Sequence, residues 1–233
     1  MGVVSETAPR TLTAADLDWV VEVTRRRREA LEPHAPRFWR PAPDATARHR
    51  DFLGQLIADP GTVGVRTGHG YLFALDRGAH ALVDDMVVTS PERWGADGVA
   101  LLRHAQRAVG ALRLVVPAFE SARLDAAYDV GLAPVETWWH RDVDPAPLAD
   151  DEGVDIEVDG ASGRLVPAPP VYDPGGPVLL VTDVESADAL TRIERAAAAR
   201  GARVSVVTQS SDDDRLRGLL EGAGYVLTTH FCE

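Results

Sequence analysis

The sequence predicts an α/β fold, of the α+β kind with a mixed sheet, whose second half repeats a shortened form of its first. Three observations carry this. Strand-like and amphipathic helical runs alternate along the 233 residues. A glycine-led segment, Gly110-Ala111-Leu112-Arg113-Leu114-Val115-Val116, returns as Gly201-Ala202-Arg203-Val204-Ser205-Val206-Val207. Each copy follows an Ala/Arg-rich helix and leads into a helix stopped by a glycine, Gly131 or Gly224, and then a strand.

The elements follow in order. Thr13 and Asp16 form a capping-box variant before a helix with Leu17, Val20, Val21, Thr24 and Leu31 at helical spacing. The run Arg25 to Arg28 on that helix reads as a solvated face. Four prolines between Pro33 and Pro43 make a loop carrying Phe38 and Trp39. Asp44 caps a second helix with Phe52, Leu53, Leu56 and Ile57 on its apolar side, ended at Pro60-Gly61. Strands are expected over 62–66, 71–75 and 79–88, with turns at Gly68-His69-Gly70 and Asp76-Arg77-Gly78. A helix follows to Gly110, then a strand over 112–116, a helix over 121–130 and a strand over 135–143. The acidic, Pro-containing stretch 144–153 reads as a linker.

The second copy begins beyond it. Its hairpin, 156–166, matches 65–73, and its strand 178–181 matches 86–88; the two opening helices have no counterpart. The expected domains are therefore 10–143 and a truncated repeat, 154–233.

Composition bounds the function. Apolar residues make up 45%, enough for a sizeable core. A formal charge of -12, from 36 acidic and 24 basic residues, argues against nucleic acid as a partner. No segment has the roughly 18 consecutive apolar residues that span a bilayer, and Met1 to Arg10 lack a signal-peptide core, so no membrane partner and a cytoplasmic location are expected. The single cysteine, Cys232, permits no internal disulfide, in keeping with a reducing compartment. No zinc pattern, nucleophile elbow or glycine-rich mononucleotide loop is found, and no metal is expected.

The stretch Arg93-Trp94-Gly95-Ala96-Asp97-Gly98-Val99 opens a helix five residues after Val88. Amides at a helix start lack partners within the helix and lie at the positive end of its dipole, and small residues let backbone approach an anion. Within the strand-helix-strand-helix-strand order, this stretch resembles the pyrophosphate loop, Arg/Gln-x-x-Gly-x-Gly/Ala, of the GNAT superfamily of acyl-CoA N-acyltransferases. The resemblance covers about 10–143, with the degraded copy over about 154–233. It implies a GNAT-like fold with a pseudo-repeated C-terminal half and transfer of acetyl from acetyl-CoA, as co-substrate, to a small-molecule or peptide amine. It allows a homodimer. Ala96 stands in place of the first loop glycine, and Asp97 where an aliphatic residue is usual.

The same resemblance assigns the residues. Arg93 to Val99 would hold the pyrophosphate, and Met86, Val87 and Val88 would offer backbone groups to the pantetheine arm. Asp84 or Asp85 would be the general base, one on each face of the strand. Tyr128 is the candidate acid, one residue out of the usual register, which Ala127 occupies. Phe38 and Trp39 would wall the acceptor side. Of the neighbours Trp138 and Trp139, one faces the core and one a pocket; Trp139 is assigned to the substrate. In the second copy, Asp183, Glu185 and Asp188 occupy the loop and would repel a pyrophosphate. The alternative is a catalytically silent module of the same fold that binds a ligand or partner protein.

Overall fold

The structure, a computed structural model, describes residues 8–35, 37–147 and 153–233. Residues 148–152 of the expected linker, Pro36 and residues 1–7 lie outside that set. The described chain groups into two compact units. Unit 1 holds the residues through Arg27, Thr46–Val135 and His230–Glu233; unit 2 holds Arg28–Ala45 and Glu136–Thr229. This grouping by contacts is a different partition from the sequence repeat.

Unit 1 contains strands β1 (Arg10–Thr11), β2 (Thr62–Arg66), β3 (Gly70–Asp76), β4 (Ala81–Val83), β5 (Met86–Val88) and β6 (Leu112–Pro117). They run in the order β1-β2-β3-β4-β6, with β5 pairing only β3. All pairs are antiparallel except β4 with β6. Helices α1 (Leu17–Leu31), α2 (Ala45–Ala58), α3 (Val99–Val109) and α4 (Ser121–Tyr128) cover both faces. Strand alternation feeds two cores: Leu72 and Ala74 of β3 join Met86, Leu101 and Ala126, whereas Tyr71 and Phe73 join Val20, Leu53 and Val87. A sheet covered on both sides explains why β3 reads as a continuous apolar run.

Unit 2 contains β7 (Pro134–Asp142), β8 (Asp155–Val158), β9 (Ala161–Val166), β10 (Val178–Val184), β11 (Val204–Ser210) and β12 (Val226–Cys232), with α5 (Ala187–Ala199) and α6 (Asp214–Gly222). The order is β7-β11-β10-β9-β8, and only β10 and β11 are parallel. One face packs on α5 and α6 through Trp139, Leu179, Val181 and Ile193. The repeat has no helices for the other face. Leu31, Ala35, Phe38 and Trp39 cover it instead, against Val178, Val204 and Val206.

Two strands straddle the partition. β7 passes into unit 2 after Val135, and β12 into unit 1 after Thr229. In unit 1 the backbones of Ala133 and Glu233 exchange two hydrogen bonds (2.9 and 3.0 Å), Phe231 packs under Arg113, and Cys232 enters the first core.

Four expectations change. The strand expected over 79–88 is broken in two. The parallel partners of β11, 178–181, correspond to β4 rather than to 86–88, because β4 is the strand that pairs in parallel with β6. The basic run is not a uniform solvated face: Arg25 and Arg26 pair with Glu22, but Arg27 turns inward to Glu120 at 2.8 Å. On α2, Leu53 and Leu56 are buried but Phe52 is 41% exposed.

Among the described residues no helix is long and apolar enough to cross a membrane.

Candidate active site

The break between β4 and β5 creates the site. β3 pairs Leu75 with Leu82 and Leu72 with Met86, so three steps on β3 face four on its partner. The extra residue makes a bulge at Asp84 and Asp85. Phe73 still donates to the Asp85 carbonyl at 2.9 Å, while the Met86 amide folds back onto the Asp84 carbonyl at 2.9 Å. β4 stays parallel to β6 through Val83, and β5 leaves it. The two strands fork at the bulge, with the two adjacent carboxylates at the vertex.

The fork is lined by charges that close on one another. Fully buried Arg123, from α4, donates to the Met86 carbonyl at 3.0 Å and lies over the Trp94 ring at 5.5 Å. Burial, then the charge of Arg27, pushes its pKa down to about 10, and Glu120 partly offsets this. Glu120 accepts from Arg27 at 2.8 Å and sits 3.6 Å from Arg123. Asp84 is exposed at the bulge. Desolvation, then the Asp85 carboxylate, raises its pKa, with Arg123, Arg27 and His49 opposing. Asp85 is hydrogen-bonded to His49 Nε2 of α2 at 3.1 Å, with side chains 12% (His49) and 18% (Asp85) exposed. Tyr71, fully buried, shares a hydrogen bond with Thr24; burial, then Asp85, raises its pKa.

The loop expected to hold a pyrophosphate is wound. A 3-10 turn, Pro91–Arg93, runs into a π-type turn, Trp94–Gly98, and then α3. The amides of Arg93, Trp94 and Val99 already bond to local carbonyls. Trp94, Asp97, Gly98 and Val99 are buried; Arg93 is partly exposed, and Gly95 and Ala96 face solvent. Both carboxylate oxygens of Asp97 lack a hydrogen-bond partner among the described residues, and Arg93 stands 3.9 Å away. The N-cap residues Ser90, Arg93 and Gly98 make no side-chain cap, but the Glu92 carboxylate accepts from its own amide in the first turn. In the second copy the Ser186 hydroxyl caps α5 by accepting from Ala189, and Asp188 lies in the first turn.

The fork thus brings together Asp84, Asp85 and the backbone of Met86, with Val87 and Val88 continuing the strand. Tyr128 ends α4 with 52% of its surface in solvent. Phe38 and Trp39 belong to the core of unit 2, where Phe38 lies 4.4 Å from the His140 ring. Trp139 is buried, with Nε1 donating to Gln209 at 2.7 Å; Trp138 is the one on the opposite face. Sequence reasoning missed His49, Arg27, Glu120 and Arg123. A lone histidine on a helix and ordinary helix charges carry no spacing signal.

No family model matches the chain, and no curated protein is detectably similar to it in sequence. Solved structures do match. A GCN5-related N-acetyltransferase from Sphaerobacter thermophilus is 13% identical with a TM-score of 0.59, covering 99% of this chain and 96% of that one. A putative acetyltransferase from Thermoplasma acidophilum is 11% identical at 0.57, covering 97% of each. A tandem GNAT protein from the clavulanic acid biosynthesis pathway is 16% identical at 0.50, covering 96% of each. Identities this low speak to fold alone: the chain has the GNAT fold of these acetyltransferase structures, with a pseudo-repeated C-terminal half.

Proposed function

We propose that the chain is an N-acyltransferase that moves an acetyl group from acetyl-CoA to the amine of a small molecule or peptide. The observation that carries the reading is the fork. A strand that leaves its neighbour at a bulge has an edge along Val87 and Val88 for an extended thioester arm, the amide and carbonyl of Met86 being held by Asp84 and Arg123. It also sets two carboxylates beside the point where that arm would end. An ammonium reaching the bulge meets Asp84, and loss of its proton frees the nitrogen to attack the thioester carbon. The carbon–sulfur bond breaks, and the thiolate leaves with a proton from the attacking nitrogen.

Coenzyme binding is assigned to the first copy. Arg93, Gly95 and Ala96 are accessible at its helix start, with Arg93 set against the two carboxylates of its first turns, Glu92 and Asp97. The second copy answers its own helix dipole with Ser186 and Asp188. The alternative, a silent module, is favoured by the buried Asp97 and by the engagement of the Met86 carbonyl with Arg123.

Calorimetric titration of the full chain with acetyl-CoA separates the two. The enzyme reading expects one site per chain. Arg93→Ala should weaken it by about 1.5–3 kcal/mol, the range for hydrogen bonds to charged groups. Asp97→Val should tighten it, with little dependence on salt, because a buried charge is poorly screened. No heat from the parent chain would support the silent module.

A further inference from the structure

We propose that Asp97 competes with the coenzyme pyrophosphate for Arg93, so that the first copy carries a built-in contact that lowers its own coenzyme affinity; this rests on the coenzyme assignment above.

Asp97 is fully buried, and neither of its carboxylate oxygens has a hydrogen-bond partner among the described residues. Carboxylates taken out of water normally collect donors or a close counter-charge. The counter-charge here is Arg93, one turn earlier, with Nη1 3.9 Å from Asp97 Oδ2. That separation makes an ion pair but is too long for a hydrogen bond. The winding Trp94–Gly98 packs around the buried indole, and a Cβ at Gly98 would lie 2.5 Å from Trp94 Cε3, so the backbone that carries Asp97 is fixed. Arg93 is long and its side chain is 41% exposed, so it is the member of the pair that can move.

The other carboxylate beside Arg93 is Glu92, which is exposed. Its own amide, then Ser90, hold its pKa down, with Arg93 contributing less. Water screens that charge, so Glu92 loses little when Arg93 moves. Asp97 would be left as a buried charge without compensation, which is strongly unfavourable. The accessible part of the loop is Gly95 and Ala96, in the same winding that buries Asp97. A pyrophosphate seated there draws the guanidinium outward. Each phosphate contact that Arg93 gains is therefore offset by attraction lost to Asp97. By reciprocity, whatever loosens the pair tightens coenzyme binding. Simple repulsion of phosphate by Asp97 differs in one respect: it acts with or without the arginine.

The test is two double-mutant cycles on the full chain, built from Arg93→Ala, Asp97→Asn and the double variant. Asparagine keeps the shape of the buried side chain and removes its charge. Urea unfolding reads the pair without ligand: Arg93→Ala should lower stability in the parent and leave it unchanged in the Asp97→Asn background. Calorimetric titration with acetyl-CoA reads the competition. Asp97→Asn should tighten binding about 3–30-fold in the parent, within the span of coupling between contacting groups, and change it less than about twofold in the Arg93→Ala background. Asp97→Val repeats both cycles if Asp97→Asn does not fold. Equal loss of stability from Arg93→Ala in both backgrounds overturns the pair, whatever the coenzyme does. Equal tightening by Asp97→Asn in both backgrounds means direct repulsion and overturns the competition. Weaker binding in Asp97→Asn means that Asp97 orients Arg93 toward the ligand, which overturns it too. In these last two cases the coenzyme assignment stands. A parent chain that gives no heat with acetyl-CoA removes that assignment and the competition with it, even where the stability cycle shows the pair.

Discussion

Gly98 shows how tightly a single position is fixed. A Cβ built there would lie 2.5 Å from Trp94 Cε3, closer than side chains tolerate. The indole is buried in the first core, so it cannot simply swing away. Gly98→Ala should lower unfolding free energy by about 1–3 kcal/mol, the usual effect of overpacking, measurable by urea titration. Gly95, in the same turn, has open space and should accept alanine without loss. The sequence marks both glycines alike, as parts of an anion loop. It does not reveal that one exists to admit an indole, because that depends on the winding of Trp94–Gly98. Asp84 carries a second residue-level expectation. Its raised pKa means the folded state holds that proton more tightly than the unfolded chain does. Stability from this site is therefore fully present below the ordinary carboxylate value, about 3.9, and is lost as pH rises from there through the raised folded-state value. Asp84→Asn should melt higher than the parent at pH 7, and the difference should vanish toward pH 3.

At the scale of elements, the forked strand depends on α4. Arg123 satisfies the Met86 carbonyl where β5 has lost its second neighbour. Arg123→Met would leave that carbonyl and Glu120 facing a side chain with no donor. A loss of about 3 kcal/mol is expected, as when one member of a buried charged group is removed, and equilibrium denaturation would read it. Much of this element layer was legible beforehand. β2 occupies the expected residues 62–66, and Gly110, Gly131 and Gly224, each with φ near +80°, end helices or turns where the sequence placed the stops. The bulge was not legible. Asp84 and Asp85 interrupt a β-rich run without glycine or proline, so composition reads straight through them. Register against β3 reveals the extra residue, and register is a property of two strands. For the same reason Phe52 looked like core: helical spacing put it beside Leu53 and Leu56, but it lies at the edge of their stripe.

At the scale of the whole molecule, the repeat was visible because its glycines and apolar strands recur; the redistribution of segments was not. Phe38 and Trp39 follow α1 in sequence, yet cover the face of unit 2 for which the repeat supplies no helix. Beside them His140, 5% exposed, is held near a pKa of about 3 by burial, with Thr228 on Nδ1. Unfolding releases it to its ordinary value, near 6.5. The unfolded chain thus binds a proton that the folded one refuses, and stability is lost as pH falls from about 6.5 toward 3, by up to about 1.4 kcal/mol per unit. His140→Asn should flatten melting temperature against pH across that window.

The crossing of β12 has a consequence for how the protein is made. Unit 1 needs Phe231, Cys232 and Glu233, but residues 136–229, ninety-four in all, are synthesised between Val135 and His230. At translation speeds of about 5–20 residues per second, the nascent first unit waits roughly 5–20 s for its last strand. During that interval β6 has no β12 beside it, and its backbone edge is exposed to whatever strand arrives first. The first unit to be translated is then not the first to be completed, and a ribosome paused within the second half would hold an open sheet edge for a chaperone to shield.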